Sequence, residues 1–336
     1  MNANARADAP ATPPATPLRI VIPGGSGHLG RILTSHFRNA GHHVVILSRN
    51  VESPGLLWDG RTLGDWAAAL DGADVVINLA GRSVDCRYDA KHRAEILRSR
   101  VDSTRVIGEA IARAQHPPRV WLQASTATIY AHRYDAPNDE HTGILGGHEP
   151  DVPAEWQFSI EVAQAWERTL DEAPVPHTRK VKMRTAMVMA PGTGGPMHAL
   201  LRHVRLGFGR FGDGRQFMSW VHEHDFVRAI EWLIAHEEVD GVVNIAAPNP
   251  LPNKEFIDVL REAWGTSSPV VLPASGWLLE LGAFLVRTEP ELVLKSRRVV
   301  PARLLEHGFA FDFPAWPEAA RDLCEETRGW HEERIW

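Results

Sequence analysis

Residues 20–30 read "IVIPGGSGHLG", an aliphatic run that breaks into four glycines. A short apolar run bounded by glycine reads as a buried strand, and the pattern from Arg31 to Ala40 is helical. Gly24, Gly27 and Gly30 make GxxGxxG, with Gly25 beside the first. Glycine is needed where a chain turns sharply, where backbone approaches a pyrophosphate, and where helix packs closely on strand. The amides of Ser26, Gly27, His28 and Leu29 are then expected to point at phosphate oxygens from a helix N-terminus. "HVVILSR" (43–49) is the next strand, so the glycine turn lies inside a βαβ unit. That context separates a dinucleotide cradle from a glycine turn kept for packing.

The alternation continues down the chain. A helix is expected over roughly 62–71, then the strand "ADVVINLAG" (73–81), a long helix around 89–115 and the strand "RVWLQAS" (119–125). Residues 131–153, rich in Gly, Pro, Asp and His, read as a loop. A helix near 154–173 and the strand "VKMRTAMVM" (181–189) follow. Repeated βα units predict an α/β, Rossmann-type doubly wound parallel sheet. After Met189 the texture turns Gly-rich and basic, which suggests a mobile connection over the cofactor cleft. "DGVVNIAAP" (240–248) and "NKEFIDVLREAW" (253–264) add a strand and a helix. The expected organisation is a disordered Ala/Pro/Thr-rich tail (1–17), a dinucleotide-binding domain (18–190, with 215–247 returning to it) and a smaller C-terminal substrate-side lobe (191–336).

The second strand ends on Ser48-Arg49, where an NAD site would carry an Asp or Glu for the ribose 2′-hydroxyl. An arginine fork suits a 2′-phosphate, so the cofactor expected is NADP(H). Leu79, Ala80 and Gly81, after Asn78, end the next long strand at the sheet edge where ligands bind, and are small enough for backbone to lie against the cofactor.

Bulk properties narrow the class. The 336 residues carry 23% charged side chains and a net charge of −6, with signs interspersed, so neither nucleic acid nor a polyanion is an expected partner. Cys86 and Cys324 are too few for a disulfide framework and fit a reducing cytoplasm. The N-terminal tail lacks an apolar signal core. "WLLELGAFLV" (277–286) is short and contains Glu280, so it reads as a core helix rather than a membrane span.

The blocks "GGSGHLGR" (24–31), "INLAGRSV" (77–84), "ILRSRVDSTR" (96–105), "STATIYA" (125–131), "MRTAMVMAPGTGG" (183–195), "RQFMSWVHEHDF" (215–226) and "VVPARLLEHGFAFDFP" (299–314) carry a resemblance. The chain resembles the short-chain dehydrogenase/reductase superfamily in its extended, sugar-epimerase-like branch. More narrowly, it is similar to atypical "epimerase family" proteins with a C-terminal domain of unknown function, here about 285–330. The resemblance implies NADP(H) and a small carbonyl or hydroxyl substrate bound between the two lobes. It also places the catalytic Ser/Thr four residues before a tyrosine: Thr126, with Ser125 beside it, before Tyr130.

Active relatives use a Tyr-x-x-x-Lys pair, whose ammonium lowers the phenol pKa. The residues four places after Tyr88, Tyr130 and Tyr134 are His92, Tyr134 and Asn138, and 141–179 holds neither Tyr nor Lys. Two readings stay open. In one, Tyr130 donates the proton, Ser125 or Thr126 polarises a carbonyl, and Arg100 stabilises an oxyanion or phenolate from the helix position usually held by Asn. In the other, the protein binds NADP(H) without turnover and reports redox state.

The run "WVHEHDF" invites a metal reading through His222 and His224, but no partner pair stands elsewhere at ligand spacing, and no metal is expected. The resemblance instead makes His222 and Asp225 part of a structural turn. His141 and His148 read as loop residues. Most of the twelve tryptophans, including Trp166, Trp232 and Trp264, read as core, with Trp220 a candidate exception beside Arg210 and Arg215, which could face an anionic substrate.

Overall fold

The computed structural model describes residues 16–50, 55–149, 152–153, 156–266, 272–274 and 291–332. The segment 277–286, read above as a core helix, lies outside the described residues. Among those described, no helix is long and apolar enough to cross a membrane.

The opening strand β1 (Arg19–Pro23) turns through the glycines into α1 (His28–Asn39) and returns as β2 (His43–Ser48). β3 (Leu56–Leu57), β4 (Val75–Asn78), β5 (Val120–Thr126), β6 (Arg179–Thr185) and β11 (Gly241–Ile245) complete a seven-stranded sheet in the order β11-β6-β5-β4-β1-β2-β3. Every pairing in it is parallel. Strand alternation divides the core in two. Ile20, Ile22, Val75 and Ile77 pack with Leu33 and Phe37 of α1 and Ile230 of α5 (Glu223–Ala235). Val21, Val76 and Trp121 face the other way, against Val106 and Ile107 of α2 (Ala90–Arg113) and Leu170 of α3 (Gln157–Asp171). Helices on both faces explain why these strands are apolar without interruption.

Four expectations change. The helix expected over 62–71 is only a 3₁₀ turn, Asp65–Ala69. The strand expected over 181–189 is divided: Ala186 hydrogen-bonds back to Ile245, and β7 (Met187–Met189) leaves the main sheet to pair with β10 (Trp220–His222). The Gly-rich stretch after Met189 is also more than a connection. It contains α4 (Pro196–Arg205), which buries Met197, Leu200, Leu201 and Val204 in a second core with Trp220, Phe256 of α6 (Asn253–Trp264) and Trp316. Trp220 is therefore core, fully buried and edge-on to Trp316 at 4.9 Å, not a ligand platform.

Candidate cofactor cleft and active site

The glycine turn shows why each glycine is there. Gly24 has φ +82°, and a Cβ on it would stand 2.8 Å from the Leu79 carbonyl carbon. A Cβ on Gly30 would meet Gly25 Cα at 2.5 Å and Gly24 O at 2.6 Å, where α1 passes closest to the turn. Gly27 differs. Its φ of −73° suits any residue, and its Cβ would meet only Gly24 O, at 3.3 Å. The space it leaves belongs to a cleft of about 590 Å³ lined by Gly24, Ser26, Gly27, Ser48, Arg49, Leu79, Ala80 and Gly81.

α1 begins at Gly27 with no side-chain cap and no acidic residue in its first turn. The first amides of such a helix carry partial positive charge and lack intrahelical partners. One expectation needs correction here: the Gly27 amide is not directed at a phosphate, since it donates to Gly24 O at 2.9 Å and closes the turn. His28, Leu29 and Gly30 supply the helix's leading amides instead. The His28 ring lies against the loop after Met189, where a Cβ on Gly195 would come within 2.7 Å of its Nε2. Burial, with Arg31 adding to it, holds this imidazole below its ordinary pKa.

At the far end, the Ser26 and Ser48 hydroxyls are 2.9 Å apart, and the Asn50 amide donates to Ser48 Oγ. Arg49 extends beside them, exposed. The two acids lining the cleft are occupied: Asp59 accepts from Thr62 and from the Arg61 amide, and Glu95 pairs with Arg82. The lining carries Arg49, Arg61, Arg82 and Arg98 against Asp59 and Glu95, so the cleft is net positive. Asn78, fully buried, accepts the Ala80 amide and donates to Gln123, holding the Leu79–Gly81 backbone along the cleft wall.

Of the residues expected to carry chemistry, Ser125 and Tyr130 meet through one buried cluster around Arg184, while Thr126 and Arg100 make other contacts. Ser125 is buried and donates to Glu167 Oε1 at 2.6 Å, and Arg184 clamps the same carboxylate at 2.9 and 2.8 Å. Tyr130 is 2% exposed, donates to Asn244 Oδ1 at 2.9 Å and lies under the Arg184 guanidinium, 4.9 Å from its ring. Burial pushes its phenol above the ordinary range despite that arginine. Thr126 caps the turn that follows, accepting the Thr128 amide at 3.1 Å, and is only half-buried. Arg100 stands elsewhere on α2, its guanidinium against Gly81 and 5.0 Å from the Trp166 ring centroid.

Sequence spacing missed Glu167, Arg184 and Asn244. Their signal was a polar residue at a buried position: Glu167 falls on the same face of α3 as Ala163 and Leu170. Nothing in the spacing announced Lys295. This buried lysine donates to Thr128 O at 2.8 Å, so the tertiary structure brings an ammonium to the Thr126–Tyr130 turn from the far end of the chain. Burial brings its pKa down to about 8. Arg297 joins it, donating to Thr128 Oγ1, while Ser159 of α3 donates to Glu291.

His222 and His224 diverge. His222 stacks on Phe313 with its Nε2 3.2 Å from Asp322, and His224 pairs with Asp312 at 2.8 Å. Asp225 is buried and accepts the amides of Asp312 and Phe313, a structural anchor for the C-terminal segment. His141 pairs at the surface with Glu306. Among the described residues no group of His, Cys, Asp and Glu is arranged to hold a metal ion.

A parallel sheet that presents a glycine turn, an uncapped helix N-terminus and a basic strand end to one cleft has the architecture of the dinucleotide-binding α/β folds. The chain belongs to the NAD dependent epimerase/dehydratase family, whose model matches residues 20–246; residues 274–323 match a domain of unknown function, DUF1731. It is 28% identical to the human epimerase family protein SDR39U1 over 310 residues, spanning 91% of this chain and 99% of that one. It is 29% identical to the epimerase family protein YfhF of Bacillus subtilis, covering 88% and 94% of the two chains. The crystal structure of human SDR39U1 (isoform 2) with NADPH superposes with a TM-score of 0.78 at 29% identity, covering 92% of this chain and 99% of that chain.

Proposed function

We propose that this protein is an NADP(H)-dependent oxidoreductase or epimerase-like enzyme acting on a small carbonyl or hydroxyl compound. The observation that carries the proposal is the α1 N-terminus, uncapped and free of acids, opening into a cleft that ends at Ser48 and Arg49. The NADPH in the human relative's crystal structure supports it. The leading amides of α1 would hold the diphosphate, Ser26, Ser48 and Arg49 the 2′-phosphate, and the Leu79–Gly81 backbone would flank the adenosine half. When bound, NADP(H) supplies or accepts a hydride at its nicotinamide. Of the expected hydroxyls, Thr126 is the one available to polarise a carbonyl, since its oxygen accepts a single amide. The two free cysteines, Cys86 and Cys324, accord with a cytoplasmic setting.

A second reading has its own support. Ser125 and Tyr130 are engaged with Glu167 and Asn244, which favours a protein that binds NADP(H) without turnover and reports redox state. Titrating NADPH and NADH into wild type and Arg49→Ala tests the cofactor. The expected result is a preference for NADPH of tenfold or more that Arg49→Ala removes. Tighter NADH binding, unaffected by the substitution, refutes it. Incubating the NADPH complex with a carbonyl panel separates the two readings. NADPH oxidation supports the enzyme, whereas tight binding with a ligand-dependent conformational change and no oxidation supports the sensor.

A further inference from the structure

Several arginines stand around the cofactor cleft; Arg49 and Arg98 are exposed and lack a carboxylate partner among the described residues, and Arg100 shares that lack while being half-buried. Arg82 pairs with Glu95, Arg61 lies 3.7 Å from Asp102, and, deeper in the fold, Arg184 is held by both oxygens of Glu167. Arg100 has no carboxylate partner among the described residues. Its Nη1 donates to the backbone carbonyls of Arg82 and Ile96, each at 3.1 Å, while Nε and Nη2 make no hydrogen bond among the described residues. The guanidinium lies close to the Trp166 ring and against the Gly81 backbone, where a Cβ would come within 3.2 Å of Cζ. Gly81 itself lines the cofactor cleft, as do Ser99 and Ser103, which flank Arg100 on α2.

Arg100 is half-buried, and a cation partly withdrawn from water without a counter-charge is stabilised when an anion completes it. Burial is felt at this group, with its pKa brought down to about 10 and only the Tyr88 phenol and the Cys86 thiol acting against that shift. The protein nevertheless holds the guanidinium in place, by two carbonyls and an aromatic face, with two of its nitrogens unengaged. A planar guanidinium with an open edge is matched to an oxyanion.

We infer that Arg100, which stands against Gly81 at the edge of the cofactor cleft rather than in its lining, is an oxyanion-binding residue, taking a phosphate or carboxylate group that arrives with a ligand. This rests on the cofactor reading above for the identity of the cleft, and extends it. The oxyanion has two possible sources: the diphosphate of NADP(H) itself, or an acidic group on a second ligand bound beside it. The recognition chemistry is the same for both.

The test compares wild type with Arg100→Gln and Arg100→Lys. NADPH binding is read by fluorescence titration, and thermal melts are recorded with inorganic pyrophosphate on the apo protein and with oxalate on the NADPH-saturated protein. If the diphosphate is the anion, Arg100→Gln weakens NADPH tenfold or more and abolishes the shift in melting temperature given by pyrophosphate. If the anion belongs to a second ligand, NADPH affinity stays within about twofold, while oxalate raises the melting temperature of the wild-type complex and not that of Arg100→Gln. Arg100→Lys, which keeps the charge and loses the fork, is expected to fall between wild type and Gln. It also guards against a Gln variant that fails to fold. Equal NADPH affinity together with equal pyrophosphate and oxalate responses in all three proteins overturns the inference. Failure of wild type to bind NADPH counts against the cofactor reading alone, because the pyrophosphate melts on apo protein still decide the role of Arg100.

Discussion

Gly27 and Gly30 lie three residues apart in one turn, and the structure gives them opposite roles. A methyl group on Gly30 would overlap Gly25 Cα at 2.5 Å, Gly24 O at 2.6 Å and Gly25 C at 2.6 Å, all backbone atoms that a rotamer change cannot move. Relieving such an overlap means shifting α1 off β1, a cost of about 1–3 kcal/mol or more on the scale of overpacked cores. A methyl on Gly27 meets one oxygen at 3.3 Å, in a backbone conformation alanine adopts freely, so its effect on the apo protein is expected to stay within about 0.5 kcal/mol. That methyl would, however, stand in the cleft at the mouth of α1. Blocking two charge-assisted hydrogen bonds from the leading amides costs about 3 kcal/mol, or roughly a hundredfold in affinity. Urea unfolding and NADPH titration of the two alanine variants measure both quantities. The expected pattern is Gly27→Ala with native stability and NADPH binding weakened a hundredfold, and Gly30→Ala with lowered stability. A Gly27→Ala protein that binds NADPH like wild type, or unfolds as early as Gly30→Ala, refutes this reading of the cradle.

Three further outcomes follow from buried polar groups. Glu167→Ala leaves Arg184 charged and unpaired in the core and removes the acceptor of Ser125, so unfolding in urea is expected to show a loss of about 3–5 kcal/mol. Tyr130→Phe leaves Asn244 Oδ1 without its donor and is expected to cost about 1–2 kcal/mol while NADPH affinity is unchanged; a large loss of turnover without loss of stability would return Tyr130 to the chemistry. Glu223 sits beside Glu326 and Asp322, and burial, reinforced by those acids, raises its carboxyl pKa to about 8. The folded state therefore holds a proton that the unfolded state has released, and stability declines between about pH 5 and pH 8. Glu223→Gln is expected to flatten that decline in urea melts across the range, and an unchanged pH profile contradicts the assignment.

Much of the candidate cofactor cleft was legible because its determinants are local. A strand, a glycine turn and a helix within twenty residues specify the cradle, and Ser48-Arg49 follows at the next strand end. Repeated strand–helix units with continuous apolar strands also foretold a doubly wound parallel sheet. The Gly27 amide was misread because the turn's internal hydrogen bond is not visible in residue types.

The catalytic region was not legible in the same way. The resemblance placed Thr126 and Tyr130 together at one strand end, yet Tyr130 turns inward to Asn244, a residue 114 positions away. Ser125 is taken by a glutamate on α3, and the ammonium at the Thr128 carbonyl comes from residue 295. What the sequence by itself determined is the parallel sheet and the glycine turn that opens α1, since both depend on the conformational limits of glycine and on short-range periodicity. Only the tertiary structure decided which polar side chains neutralise one another and which stay open. Charge pairing depends on distances between segments far apart in the chain, and those distances left Arg100, beside Gly81, without a carboxylate partner among the described residues.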